Sequence, residues 1–210
     1  MDKGHREALR EAARQLVREK GLSRTTARDL VGASGTNLRS IGYHFGSKDA
    51  LMSEVLAHIT AEWTAAPVNA SRTDPAAAPE DRMTSAVRTM LTDLAAKRED
   101  LLVYLEGVLE ARHSPSLAAS LADTQNSALG SISESITDGA PNLPRETAEV
   151  LARLLMAIHD GLALQLAVSD SPALHDLDVL VPVLAGLGIT LAAGLDVPGA
   201  AEILATLLEP

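Results

Sequence analysis

The tightest constraint on this chain is the order of signals between Thr25 and Lys48. Thr26 is suited to cap a helix, and Asp29, three residues on, completes a capping-box pattern. Leu30 and Val31 supply core-facing positions, and Ala33-Ser34-Gly35 makes a tight turn in which Gly35 can take a positive φ. A third helix is expected from about Thr36 or Asn37 to Tyr43, anchored by Leu38 and Ile41. Ser47 then caps a fourth helix bearing Leu51, Val55, Leu56 and Ile59 and running to about Ala65. Two short helices across a tight turn, flanked by longer ones, form the grammar of a helix-turn-helix DNA-binding unit.

The segment before it fits that reading. Leu9, Ala12, Ala13, Leu16 and Val17 line one face of a helix from about His5 to Lys20, closed by Gly21. Arg6, Arg10, Arg14 and Arg18 recur every four residues on another face, where a solvated row with long-range attraction for DNA is expected. The chain as a whole carries a formal charge of −10. Residues 1–48 hold ten Lys/Arg and five Asp/Glu, a net +5, whereas residues 49–210 hold eight and 23, a net −15. The basic footprint is therefore local, and the acidic remainder repels DNA elsewhere.

Beyond Ala65 the pattern stays helical. Residues 66–79 hold three prolines and small polar residues and read as a loop between domains. Helices are expected over about Asp81–Lys97, Arg98–Ala111, Ser116–Thr137, Pro144–Val168 and Leu174–Leu195, with a short one over Gly199–Leu208. Glu149–Val168 is apolar nearly all round and must bury two faces. Val179–Leu195 has only Thr190 as a polar residue, but Pro182 and three glycines interrupt it, and no Lys or Arg follows Arg153. Burial against its own domain and a second subunit is expected rather than a membrane span. Gly186, Thr190 and Gly194, four apart, permit close approach of two backbones, and Leu151, Leu155 and Leu162 join them as candidate dimer contacts.

Thr25-Thr26-x-Arg28-Asp29-Leu30, Gly35, and Tyr43-His44-Phe45-Gly46-Ser47-Lys48-Asp49-Ala50-Leu51, in that order and spacing, resemble the TetR/AcrR family of bacterial transcriptional regulators over about Leu9–Leu56. The resemblance implies an all-α fold. A three-helix DNA-binding domain (1–48) is joined by a linking helix (47–65) to a larger ligand-binding and dimerisation domain (66–210). It further implies a cytoplasmic, nucleoid-associated homodimer that represses from double-stranded, palindromic operator DNA and is released by a small molecule. One departure concerns base reading: the family often has a Ser-x-Gly-Thr-Leu-Tyr-like run where this chain has Asn37-Leu38-Arg39-Ser40-Ile41-Gly42.

Arg39, midway along the third helix, is the candidate base reader, because bidentate Arg to guanine is the commonest specific contact. Thr36, Asn37 and Ser40 are its candidate companions. Tyr43, His44 and Lys48 match family positions that contact phosphates, and all three are suitable donors. Thr26 is a further phosphate candidate at a helix N-terminus. For the ligand, a mostly aliphatic lining suits a lipophilic molecule, with Trp63, Met90, Tyr104, Met156, His159 and Gln165 as candidate contacts.

Nothing points to catalysis: there is no nucleophile elbow, phosphate loop or cysteine. His113, His159 and His175 lack metal-ligand spacing, so neither metal nor cofactor is expected. Without cysteines, and with a charged first 20 residues, a reducing cytoplasm is the expected setting. Two other readings stay open, a helical carrier of lipophilic ligands and an interaction protein that has lost operator binding.

Overall fold

The computed structural model describes residues 2–74, 76–169 and 176–195, with side chains omitted at 2, 3 and 191–195. The expected Gly199–Leu208 helix and His175 lie outside the described residues. Nine helices are described: α1 (Asp2–Lys20), α2 (Ala27–Ser34), α3 (Leu38–Phe45), α4 (Lys48–Ser71), α5 (Pro79–Ala96), α6 (Arg98–Ala111), α7 (Pro115–Gly139), α8 (Arg145–Val168) and α9 (Leu177–Leu195). They divide between two compact units. The first comprises residues 1–61 with 98–125, and the second 62–97 with 126–210.

In the first unit, α1 packs on α2, α3 and α6. Leu9, Ala13, Val17, Leu30, Leu51, Val55, Leu56, Ile59 and Leu101 are shut off from solvent. Each such leucine contributes about 1.5–3 kcal/mol by burial. The α1 arginines stay partly solvated, as expected, but each also reaches a carboxylate. Arg14 and Arg18 both reach the carboxylate of Asp100 on α6, and Asp100 is only 1% exposed. Arg6 pairs with Glu54 at 2.6 Å, while its guanidinium lies 5.1 Å from the Phe45 ring centroid. Arg10 pairs with Glu7 at 2.6 Å. A charge every fourth residue reads as wholly solvated only while its partners, most of them far away in sequence, are unseen.

Six residues further along α6, Glu106 accepts hydrogen bonds from the N–H of Leu22 (2.7 Å), the N–H of Ser23 (2.9 Å) and the Ser23 hydroxyl (2.7 Å). Gly21, at φ 87°, admits this carboxylate; a Cβ there would meet Glu106 Oε2 at 2.7 Å. Leu56 likewise presses on α6 at Gly107, where a Cβ would lie 2.7 Å from its Cδ1.

The second unit is built on α5 and α9, which pack together and on α8. Its core holds Val87, Leu91, Val181 and Ala185, flanked by Met83, Met90, Leu162 and Leu180. α8 is long and apolar enough to cross a membrane by length and composition. It instead divides its apolar surface, burying Ala148, Leu151, Ala152, Ala163 and Leu166 and exposing Leu164 and Val168. The helix expected to stop near Ala65 continues as α4 to Ser71, through Pro67. Proline removes one backbone donor and is tolerated where packing compensates; here Trp63, Val68 and Ser71 are all buried. The expected loop shrinks to residues 72–78.

Burial pushes the Glu106 carboxyl up, but the Ser23 N–H and hydroxyl and the Leu22 N–H outweigh it, holding it below its ordinary value of 4.5. A depressed carboxylate stabilises the fold above the unfolded value and loses that contribution as pH falls through the folded one. Glu106→Gln should therefore lower stability by about 1–3 kcal/mol at pH 7. Urea denaturation of the two proteins should show the gap narrowing steadily below about pH 4.5.

Candidate DNA-binding surface and ligand cavity

α2 opens as its sequence predicts. The Thr26 hydroxyl accepts from Asp29 N–H (3.2 Å), and Asp29 Oδ2 accepts from Thr26 N–H (2.8 Å), closing the capping box. The same hydroxyl donates to Asp29 Oδ2 at 2.6 Å. Its single proton is thus spent inside the box, and Thr26 sits as a cap rather than as an open donor. Lys20 closes on Asp29 at 2.6 Å. That ion pair and the Thr26 bonds hold the Asp29 carboxyl far below the ordinary range. Gly35, at φ 65°, ends α2 with its N–H on the Val31 carbonyl.

α3 starts at its N-cap Asn37, whose Oδ1 accepts from Ser40 N–H (3.1 Å) and from the Ser40 hydroxyl (3.3 Å). Ser40 is buried by this, so it shapes the helix start and does not share the outer face with Arg39. Thr36 shares a 2.7 Å hydrogen bond with Ser34 across the turn. Arg39 is exposed, and Tyr43, one turn on, is 72% exposed with its ring edge-on to His44 at 4.9 Å. Ile41 is the inward anchor, but Leu38 is not; it is 55% exposed. Leu38 and Gly42 are four positions apart, one turn, and the small outer surface of this helix is therefore Leu38, Arg39, Gly42 and Tyr43. Lys48 starts α4 with its ammonium donating to the Thr25 carbonyl at 3.1 Å, which leaves two of its three N–H groups uncommitted to that bond.

The second unit contains a cavity of about 240 Å³. α4 contributes Trp63, Thr64, Pro67, Val68 and Ser71; α5 contributes Met83, Val87 and Met90; α8 contributes Leu151, Leu155, Met156 and His159. The sequence candidates Trp63, Met90, Met156 and His159 meet there, with the Trp63 and His159 ring centroids 6.2 Å apart. His159 Nδ1 lies 3.1 Å from Asp160 Oδ1. Tyr104 and Gln165 do not line it. Tyr104 is buried in the first unit, its hydroxyl accepting from Gln125 at 3.3 Å, and Gln165 is exposed on α8. Periodicity does not tell which unit the buried face bearing Tyr104 belongs to, nor that the Gln165 face of α8 is left in solvent. Sequence reading missed Met83, Arg82 and the serines of α4 and α7, which also border the cavity.

The candidate dimer contacts separate as well. Leu151 and Leu155 face the cavity, and Leu162 packs against the α5–α9 core. Gly186 and Thr190 are exposed on α9, whereas Gly194 falls where side chains are not described. Val179, Val183 and Leu187 join Gly186 and Thr190 on the exposed face of α9, and Leu164 and Val168 are exposed on the neighbouring α8. Among the described residues, no three His, Cys, Asp or Glu side chains gather where they could hold a metal ion.

Comparison with known proteins agrees with this arrangement. Residues 9–55 match the family model of bacterial regulatory proteins of the tetR family, and residues 79–185 match that of the C-terminal domain of BetI-type transcriptional repressors. The HTH-type transcriptional regulator BetI of Escherichia coli (strain SE11) is 24% identical over 82% of this chain and 89% of its own length. A transcriptional regulator of Rhodococcus sp. Rha1 superposes with a TM-score of 0.68 at 25% identity, covering 90% of this chain and 96% of its own. The multidrug binding protein EbrR, solved in complex with proflavin, has a TM-score of 0.61 at 25% identity, over 87% and 99% of the two chains.

The geometry at Thr26 makes a direct test. Thr26→Ala should cost about 1 kcal/mol of stability through loss of the cap, seen as a lower melting temperature. The salt dependence of DNA binding should stay unchanged, because the hydroxyl proton is already used within the box.

Proposed function

The chain belongs to the TetR family of bacterial transcriptional regulators and is a ligand-responsive DNA-binding regulator, and we propose that it acts as a homodimeric repressor of a palindromic operator in the cytoplasm. The observation that carries this reading is the pairing, in one chain, of an outward Arg39/Tyr43 face on α3 with an apolar cavity lined by α4, α5 and α8. In this division of labour residues 1–48 read DNA, the helix from 47 links, and residues 66–210 hold ligand and partner.

Arg39 reads a base edge from α3, and Tyr43, His44 and Lys48 fix the helix on phosphates. Thr36 and Asn37 stand at the end of α3 that enters the groove first, where helix-turn-helix proteins make base contacts. Two copies of α3 then lie in successive major grooves, about 34–36 Å apart. The exposed apolar rows on α8 and α9 support the dimer, because a contiguous apolar patch on a soluble protein marks an interaction surface. Small-molecule binding in the cavity is supported by the proflavin held by EbrR. Occupancy acts through α4, the helix that carries both Lys48 and the cavity residues Trp63–Ser71, by binding the DNA-competent and released arrangements with different affinity.

The founding experiment is a gel shift with the purified chain and DNA upstream of its own gene, with competitor DNA present. A discrete, competitor-resistant complex is expected. A genome-wide fragment selection that retrieves no preferred sequence would overturn the operator reading. Against the selected site, Arg39→Ala should lose about 1–3 kcal/mol of discrimination between cognate and altered sites. Lys48→Ala should weaken binding to every sequence alike and lower the salt slope by about one.

Dimerisation has its own readout. Val183→Arg puts a charge in the exposed α9 row, and sedimentation should then find a folded monomer that no longer shifts the palindrome.

A further inference from the structure

The cavity is apolar along most of its wall, yet a cation borders it. Arg82, half-buried on α5, donates from Nε to the Ser71 carbonyl (2.7 Å) and from Nη1 to the Asp138 carbonyl (3.3 Å). Both partners are neutral backbone oxygens. The carboxylate of Asp138 is already held by Arg72, at 3.0 and 3.2 Å. Glu80 also borders the cavity, but it makes no ion pair with Arg82, and among the described residues no other carboxylate does. The guanidinium lies against the α7 terminus, close enough that a Cβ on Gly139 would make ordinary contact with Arg82 Cζ at 3.6 Å. The guanidinium thus keeps Nη2, with two N–H groups, uncommitted to protein acceptors.

The hydroxyls beside it offer no competing protons. Ser71 Oγ donates to the Val68 carbonyl at 2.7 Å, so the 2.5 Å contact between Ser71 and Ser135 is made with the Ser135 proton. This corner of the cavity therefore presents an unneutralised positive charge with spare donors. The rest of the wall presents Trp63, Met83, Met90, Leu155 and Met156, whose thioethers adapt to irregular apolar shapes. A positive charge half-removed from water, with no counter-ion, favours a ligand that brings one.

Resting on the reading of this cavity as the effector site, we propose that it takes an amphiphilic organic anion, with a carboxylate on Arg82 and an aliphatic or arylalkyl body among the methionines. Recognition divides accordingly. The charge selects the class of ligand, and the soft apolar wall tolerates differences in the body.

Trp63 is the chain's only tryptophan and lines the cavity, so its emission reports occupancy. The full-length protein would be titrated with n-decanoate, n-decanol and n-decyltrimethylammonium, each below its micelle concentration. Decanoate should bind at least about tenfold more tightly than decanol, the scale of one hydrogen bond to a charged group. The cation should bind weakest. Arg82→Gln should remove the preference for decanoate while leaving decanol affinity unchanged, and Arg82→Lys should retain most of it. Equal or tighter binding of decanol or the cation by the unmodified protein would overturn the anion assignment while leaving the cavity as a ligand site. If none of the three alters Trp63 emission, the effector-site reading falls, and the proposal with it. An Arg82→Gln protein that loses decanol and decanoate alike would also overturn it.

Discussion

Two carboxylates on α6 hold the first unit together. Asp100 takes Arg14 and Arg18 of α1, and one and a half turns later Glu106 takes the N–H groups just beyond the end of that helix. Without α6, Arg14 and Arg18 would lose the Asp100 carboxylate and the N–H groups of Leu22 and Ser23 would lose their acceptor. Removing water from Asp100 costs several kcal/mol, which only two well-placed guanidinium groups offset. The bond network therefore fixes the position of α1 along α6, and α1 in turn seats α2 and α3. The orientation of α3 thus depends on residues that lie more than fifty positions away from it in the chain.

A different logic operates in the second unit. There the helices meet through aliphatic and methionine side chains, and their imperfect fit leaves a cavity rather than a sealed core. Close packing is the ordinary condition of protein interiors, so an open volume walled by five helices stands out as a place where another molecule can sit. Pro67 and three methionines line that volume, and none of them demands a single packing arrangement. Charge-paired geometry in the first unit and adaptable apolar packing in the second are opposite solutions placed in one chain.

Local signals were legible in the sequence, and tertiary ones were not. Thr26 with Asp29, Gly35 at the turn, and Gly21 at the end of α1 each act within four residues, and each sits as the spacing predicts. The all-helical class was legible for the same reason. Leu38 was misread because an eight-residue helix has room for few anchors, and Ile41 fills that role. Ser40 was misread because a polar residue on a short helix reads as outward until its bond to Asn37 is seen. Pro67 falls in a stretch whose prolines and small polar residues read as a loop, although burial of Trp63 and Val68 carries α4 past it. Tyr104 and Gln165 resemble cavity residues in one dimension; Tyr104 belongs to the other unit, and Gln165 lies on an exposed face of α8.

The composition of the first unit has a consequence for recombination between such regulators. Cutting after residue 61 to transplant the DNA-reading segment would carry Arg14, Arg18 and the Leu22–Ser23 amides into a new host and leave Asp100 and Glu106 behind. A functional chimera needs a host that supplies equivalent acids at the same register, or a graft that brings residues 98–125 along. The compact unit is therefore a discontinuous one, and a pair of carboxylates joins its two stretches of chain.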